Sequence, residues 1–149
     1  MYARCHGRVG RSADGARGKT EMSARRRKVL VIDDSQLIHK MYELALRTYP
    51  RCELESHFAS DGYEGLAQLN RHPDVGLIML DVNMPTMSGL EFLTRVKAEP
   101  ALQEIPVVLQ STEDSEDDIR RGLEAGAWGY LTKPYTPQRL HALLDEILD

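Results

Sequence analysis

Residues able to do chemistry follow four apolar runs of this 149-residue sequence. In chain order they are Asp33-Asp34, Asp81 with Asn83 two residues later, Ser111-Thr112, and Lys133-Pro134. Each group is ordinary alone, since Asp and Ser often begin helices and Lys-Pro is common in surface turns. Their recurrence behind successive apolar runs indicates one shared site.

The three carboxylates make that site strongly acidic. At a separation of roughly 4 Å and an effective dielectric constant of about 20, each pair of like charges repels by about 4 kcal/mol. Either one carboxyl group therefore keeps its proton or a cation lies among them. Because the pattern brings no His or Cys to Asp33, Asp34 and Asp81, their hard oxygen atoms favour Mg²⁺ that retains several waters.

A cation held by Asp33, Asp34 or Asp81 leaves one oxygen of Asp81 free to act as a nucleophile. The hydroxyl of Ser111 and the ammonium group of Lys133 can then stabilise the oxygens of a transferred phosphoryl group. The set of side chains is therefore suited to forming an aspartyl phosphate.

These residues are positioned by strands that alternate with helices. Short apolar or β-branched segments predict five strands, at residues 28–32, 52–59, 75–80, 105–110 and 128–132. Helical periodicity and capping residues predict five helices: 36–48 capped by Ser35, 61–70, 90–98, one after Ser115, and one through Leu140, Leu143, Leu144 and Ile147. This alternation predicts a doubly wound α/β fold, a parallel sheet covered on both faces. In such a fold the carboxyl ends of the strands share one crevice, where ligands bind.

The helical spacing of apolar residues also predicts which face of each helix is buried. In the first helix Leu37, Met41, Leu44 and Ala45 recur at helical spacing, and His39 is predicted to be exposed. In the fourth helix the predicted core face consists of Ile119, Leu123 and Gly126, after a first turn of acidic residues that suits the helix dipole.

The charge is uneven along the chain. Residues 1–28 hold nine Lys or Arg and two acidic residues, whereas the remainder holds ten basic and 21 acidic residues. We interpret residues 1–26 as a disordered basic tail and residues 27–149 as one domain; alternatively, Met22 is the natural start. The tail lacks the interleaved aromatic residues of nucleic-acid-binding segments.

The two cysteines, Cys5 and Cys52, give no disulfide framework and no metal-ligand spacing, which predicts a protein of the reducing cytoplasm. No apolar run has the length of a membrane span or a secretion signal.

From Lys28 onward the sequence resembles a response-regulator receiver domain of the stand-alone chemotaxis type. The resemblance is carried by "VIDDS", "LDVNMPTMSGLEFL", "IPVVLQST" and "EAGAWGYLTKPYT". It implies a flavodoxin-like five-stranded sheet with strand order 2-1-3-4-5. It also implies a member of a two-component phosphorelay that catalyses only its own phosphorylation and dephosphorylation.

The resemblance implies a role for each site residue. Asp81 is the phosphoacceptor, Asp33 and Asp34 are the acidic pair, and Mg²⁺ binds mainly Asp34, Asp81 and the backbone carbonyl of Asn83. Ser111 is the switch hydroxyl, Lys133 contacts the phosphoryl group, and the peptide bond before Pro134 is cis. Tyr130 is the aromatic switch, and Asn83 and Glu113 tune dephosphorylation. Thr112 is the alternative switch hydroxyl, but the spacing to Asp81 and Lys133 favours Ser111.

Partners follow from the same resemblance. The phosphodonor is a sensor histidine kinase or a histidine phosphotransfer protein, and a separate output protein binds the face of the fourth helix, fifth strand and fifth helix.

Other classes of protein fit the sequence less well. A phosphohydrolase of the haloacid-dehalogenase type needs an Asp at position 83, where this chain has Asn, and the acidic pair Asp33-Asp34 repels the phosphate of a flavin nucleotide.

Overall fold

The computed structural model describes residues 26–113 and 115–148, which form ten elements. The five strands are β1 (Arg26–Ile32), β2 (Glu53–Ala59), β3 (Val75–Asp81), β4 (Val107–Ser111) and β5 (Gly129–Thr132). The five helices are α1 (Gln36–Arg47), α2 (Gly62–Arg71), α3 (Gly89–Ala98), α4 (Glu116–Glu124) and α5 (Pro137–Ile147).

The strands form one parallel sheet in the order β2-β1-β3-β4-β5. The predicted fold class, strand order and alternation of elements are therefore confirmed. The predicted caps Ser35 and Ser115 each accept a hydrogen bond from a backbone N–H in the first turn of their helix.

Two hydrophobic layers lie on opposite faces of the sheet. One layer places β1, β3 and β4 against α2 and α3, through Leu69, Phe92, Leu93 and Val96. The other places the same strands against α1 and α5, through Tyr42, Leu46, Leu140, Leu143 and Leu144. Because successive side chains of a strand point to opposite faces, the strand residues divide between the layers with a period of two.

The predicted core face of α1 is wrong. Leu37, Met41 and Leu44 are 69%, 50% and 60% exposed, whereas Tyr42 and Leu46 are buried. The prediction for His39 is also wrong, because this residue is 9% exposed and its ring packs against Phe58. Helical periodicity permits two overlapping apolar stripes here, and contact with β2 and α5 selects the one that contains His39 and Tyr42.

The predicted core face of α4 is also wrong in part. Leu123 is 46% exposed, and Gly122 is the buried residue of this helix. A Cβ at position 122 would lie 2.5 Å from Leu109 Cδ1, so the glycine lets the helix approach β4 closely.

The predicted basic tail lies outside the described residues except for Arg26, which already belongs to β1 and pairs with Glu53. Within residues 26–113 and 115–148, no helix is both long and apolar enough to cross a lipid bilayer.

Candidate functional site at the carboxyl edge of the sheet

The ends of β1, β3 and β4 bring three polar side chains to one face of the sheet. Asp33, Asp81 and Gln110 each lie two positions after a residue of the layer beneath α1 and α5, namely Val31, Met79 and Val108. The period of two therefore directs these polar side chains to the same face, above that layer. Ser111 lies in phase with Leu109, so the period of two places it on the opposite face.

The acidic residues predicted to share a site do so. Asp33, Asp34 and Asp81 each place a carboxylate oxygen within 4.8 Å of the other two. Asp33 and Asp81 are buried, whereas Asp34 is exposed at the rim. The group thus offers hard oxygen ligands from one side and an open approach for solvent or a ligand from the other.

Lys133 lies between two of these carboxylates. Its Nζ is 3.1 Å from Asp33 Oδ2 and 3.5 Å from Asp81 Oδ1, and its side chain is 18% exposed. The residue directly follows β5, and its backbone N–H donates to the carbonyl of Ser111 at 2.7 Å. The Lys133-Pro134 peptide bond is cis.

The environment of Asp81 disfavours its charged form. Burial and the negative charge of Asp33 raise the pKa of the Asp81 carboxyl from 3.8 to about 6, although Lys133 and the N–H of Asn83 partly oppose this effect. That N–H lies 3.4 Å from Asp81 Oδ1. One ammonium group is thus too little positive charge for this cluster, which is the electrostatic condition that favours a bound cation.

Asp33 is held by the protein on both carboxylate oxygens. Oδ1 accepts from the N–H of Ser35 at 2.9 Å, and Oδ2 accepts from Lys133 and, at 3.4 Å, from Gln110 Nε2. His39 Nε2 lies 2.7 Å from the backbone carbonyl of Asp33. Asp33 is therefore fixed in position, whereas Asp34 at the rim remains accessible.

The hydroxyl candidates lie in different surroundings. Ser111 is buried at the end of β4, and its Oγ accepts from the N–H of Glu113 at 3.0 Å. Thr112 is exposed in the bend that follows. Tyr130, on β5, donates its hydroxyl proton to the carbonyl of Glu113 at 2.9 Å, so Ser111 and Tyr130 contact the same short segment.

A buried polar cluster was not identified from the sequence. Gln110 is fully buried, and its Oε1 accepts from Tyr42 at 2.6 Å and from Tyr135 at 2.8 Å. The two tyrosine hydroxyls also contact each other. One feature of the sequence could have indicated this cluster: Gln110 ends the apolar run "IPVVLQ", and a polar side chain buried there needs hydrogen-bond partners.

The arrangement was compared with known proteins. The family described as "Response regulator receiver domain" matches residues 29–145. A chemotaxis protein CheY homolog of Campylobacter jejuni is 32% identical over 121 residues, which cover 81% of this chain and 92% of that protein.

Two solved structures are also similar. That of Vibrio cholerae chemotaxis protein CheY4, crystallised at low pH, is 34% identical with a TM-score of 0.73, covering 82% of this chain and 98% of that one. The Mn²⁺-bound form of response regulator Rcp1 is 30% identical with a TM-score of 0.68, covering 80% of this chain and 89% of that one. The family match over residues 29–145 includes the three acidic residues and Lys133.

Proposed function

We propose that this chain, which belongs to the response regulator receiver domain family, accepts a phosphoryl group on Asp81 from a phosphohistidine donor. Membership makes it a signalling protein of the two-component class. Phosphorylation of Asp81 is supported above all by the position of Lys133, whose Nζ lies 3.5 Å from Asp81 Oδ1 in a cluster of three carboxylates. This arrangement combines a nucleophile with a cation that can stabilise the oxygens of a phosphoryl group.

The reaction is a transfer between two nucleophiles. A carboxylate oxygen of Asp81 attacks phosphorus, an O–P bond forms, and the P–N bond to the donor histidine breaks. The bonding pair remains on the imidazole nitrogen, which takes up a proton from solvent. Lys133 then moves toward the phosphoryl oxygens, while the Ser111 hydroxyl turns to donate to one of them.

The residues present fit Mg²⁺. The donor set consists of hard oxygens, and within the described residues no histidine or cysteine joins the cluster. Asp34, Asp81 and the carbonyl of Asn83 would hold the ion, because both carboxylate oxygens of Asp33 already accept hydrogen bonds. When bound, the ion neutralises charge on the acidic cluster and on the phosphoryl group. The Mn²⁺-bound form of the similar response regulator Rcp1 supports the binding of a divalent cation by this fold.

Labelling with acetyl phosphate tests the proposal. Wild-type protein with Mg²⁺ is expected to run as a phosphorylated species on a Phos-tag gel, and Asp81→Asn is not. EDTA is expected to abolish the wild-type band. Labelling that persists in Asp81→Asn, or that is indifferent to EDTA, would contradict the assigned nucleophile or the assigned ion respectively.

The phosphoryl group is expected to be short-lived, because polar residues flank the path of an attacking water. Asn83 and Glu113 each lie two positions after a site residue, and Glu113 is exposed at the rim. Asn83→Met and Glu113→Leu replace groups that orient water by apolar ones, so each is expected to slow dephosphorylation several-fold, about 1 kcal/mol in the barrier. Decay of the band after removal of the donor measures the rate. Wild-type decay in both variants would reject this role.

The signal is proposed to leave the site through Ser111 and Tyr130. A cavity of about 110 Å³ lies beside the Tyr130 ring and gives it space to turn inward. The cavity is lined by apolar and by charged side chains: Val82, Leu90 and Leu109, and Glu113, Asp118 and Arg121. Movement of Ser111 toward the phosphoryl group pulls on the segment that Tyr130 also contacts. The expected coupling is about 1–3 kcal/mol.

Ring resonances of Tyr130 test this coupling. Addition of beryllofluoride and Mg²⁺ is expected to shift them in wild-type protein and to shift them much less in Ser111→Ala. An equal shift in both proteins would show that this hydroxyl does not carry the signal. Thr112→Ala is the matched control, because Thr112 is exposed and its neighbour Ser111 is retained.

The partners belong to the same proposal. A histidine kinase or a histidine phosphotransfer protein supplies the phosphoryl group, and a separate output protein reads the face formed by α4, β5 and α5. The half-exposed Leu123 and Trp128 lie on or beside these elements and provide apolar area for such contact. The proposed location is the cytoplasm.

A further inference from the structure

The buried amide of Gln110 joins the phosphorylation site to two tyrosines. Its Nε2 faces Asp33 Oδ2 at 3.4 Å, and its Oε1 faces the hydroxyls of Tyr42 and Tyr135 at 2.6 Å and 2.8 Å. A carboxylate only accepts hydrogen bonds, so the donor end of the amide must face Asp33. The tyrosine hydroxyls then stabilise this orientation by donating to Oε1.

Both hydroxyls keep their protons at neutral pH. Burial and the neighbouring Tyr135 raise the pKa of Tyr42 well above its ordinary value of 10.0. Burial likewise raises the pKa of Tyr135. Each hydroxyl can therefore donate its proton to Gln110 Oε1. Reversal of the amide would place its carbonyl oxygen, which only accepts, against the carboxylate of Asp33, and this disfavours the reversed orientation.

Asp33 Oδ2 accepts hydrogen bonds from two donors, Lys133 Nζ and Gln110 Nε2, and only the first is expected to move on phosphorylation. The Nζ of Lys133 is 3.1 Å away and also contacts Asp81. Once Asp81 carries a phosphoryl group, Lys133 is drawn to the new anion and leaves Asp33. Asp33 is 1% exposed, so loss of its last donor at Oδ2 would leave a buried carboxylate oxygen unsatisfied.

We propose that Gln110, oriented by Tyr42 and Tyr135, is a positioning residue that retains Asp33 when Lys133 moves to the phosphoryl group on Asp81. The amide is the donor that stays, and it makes the transfer of Lys133 less unfavourable. This inference rests on the proposed phosphorylation of Asp81 and adds residues from α1, β4 and the segment before α5 to that site.

A double-mutant cycle with acetyl phosphate tests the role. Gln110→Met removes the donor at similar volume and is expected to slow labelling about tenfold, the effect of one hydrogen bond to a charged group. In a Lys133→Ala background there is no lysine to transfer, so the same substitution is expected to change the rate less than twofold. An equal fall in both backgrounds, or a wild-type rate in Gln110→Met, would overturn the inference.

A milder variant covers the case in which Gln110→Met does not fold. Tyr135→Phe leaves the hydroxyl of Tyr42 on Oε1 and is expected to slow labelling about threefold with Lys133 present and not in its absence. Tyr49→Phe is the matched control, since it removes a hydroxyl that donates to Asp145 at 2.8 Å beyond the far end of α1. That end lies about 18 Å from the site, so labelling at the wild-type rate is expected.

Fluorine NMR of bound beryllofluoride gives a second readout that a merely structural role does not move. The resonance that shifts in Lys133→Ala identifies the fluorine that contacts the ammonium group. In Gln110→Met the same resonance is expected to move toward its position in Lys133→Ala; an unchanged position would contradict the inference. If wild-type protein is not labelled on Asp81, the proposed function itself is rejected. If wild type is labelled but Gln110→Met lowers the labelling rate by the same factor with and without Lys133, only this inference is rejected.

Discussion

Replacing Asp81 by Asn is expected to stabilise the metal-free protein at pH 7 by about 2–3 kcal/mol. The pKa of this carboxyl is about 6 in the folded protein, against 3.8 ordinarily. Each unit of difference corresponds to roughly 1.4 kcal/mol, so ionising Asp81 in the folded state opposes folding. Asn keeps a similar shape and carries no charge beside Asp33.

The effect has a defined pH dependence. Below about pH 4 the carboxyl is protonated in both states, and Asp81→Asn is expected to match wild type in free energy of unfolding. Between about pH 4 and 6 the unfolded state ionises first, so wild-type stability falls relative to the variant as pH rises, and the difference is full above pH 6. Urea unfolding in EDTA at several pH values measures it.

Two controls identify the cause. Saturating Mg²⁺ is expected to stabilise wild type more than Asp81→Asn and so to reduce the difference. Asp74→Asn is expected to give no stabilisation, because a hydrogen bond from Lys28 lowers the pKa of Asp74 and its ionised form is favoured. If Asp81→Asn is no more stable than wild type at pH 7 without metal, the negative charge of Asp81 does not destabilise the folded protein, and the argument is wrong.

Gly89→Ala is expected to destabilise the protein by about 3 kcal/mol. A Cβ at this position would lie 2.4 Å from the backbone oxygen of Asp81 and 2.8 Å from Val82 Cα. Both obstacles are main-chain atoms at the end of β3, so no side chain can rotate away. The gain in helix propensity, at most about 1 kcal/mol, does not offset this contact.

The same substitution acts on the site. Relief of the contact must move either α3 or the backbone of Asp81, and it weakens the bond from the Gly89 N–H to the Val82 carbonyl at 2.9 Å. Labelling by acetyl phosphate is therefore expected to slow together with the loss of stability. Gly129→Ala is the matched control: no atom lies within 4 Å of its Cβ, so a change below about 0.5 kcal/mol is expected. Equal stabilities of the two variants would contradict the argument.

The sequence by itself determined the sheet and the meeting of its strand ends. Five short apolar runs separated by helical segments can bury their surfaces only as a parallel sheet covered on both sides. Parallel strands end at one edge, so Asp33, Asp81 and Lys133 had to converge whatever the details of packing. This is why the acidic cluster and its lysine were predictable from position alone.

The rotation of the helices was decided by tertiary structure. In α1 the stripe through Leu37, Met41 and Leu44 and the stripe through His39, Tyr42 and Leu46 overlap, and a period of 3.6 residues serves both. The second stripe is buried because it contacts the sheet and α5, and the hydroxyl of Tyr42 then finds a partner in Gln110.

The Gln110 cluster illustrates the same limit at longer range. Its hydrogen bonds join residues that are 68, 77 and 25 positions apart, and no local pattern encodes such pairs. Whether a buried amide meets donors, an acceptor or nothing depends on which helix covers that side of β4 and how it is turned. Sequence periodicity specifies that a face is buried, whereas only the packed structure specifies which polar atoms meet within it.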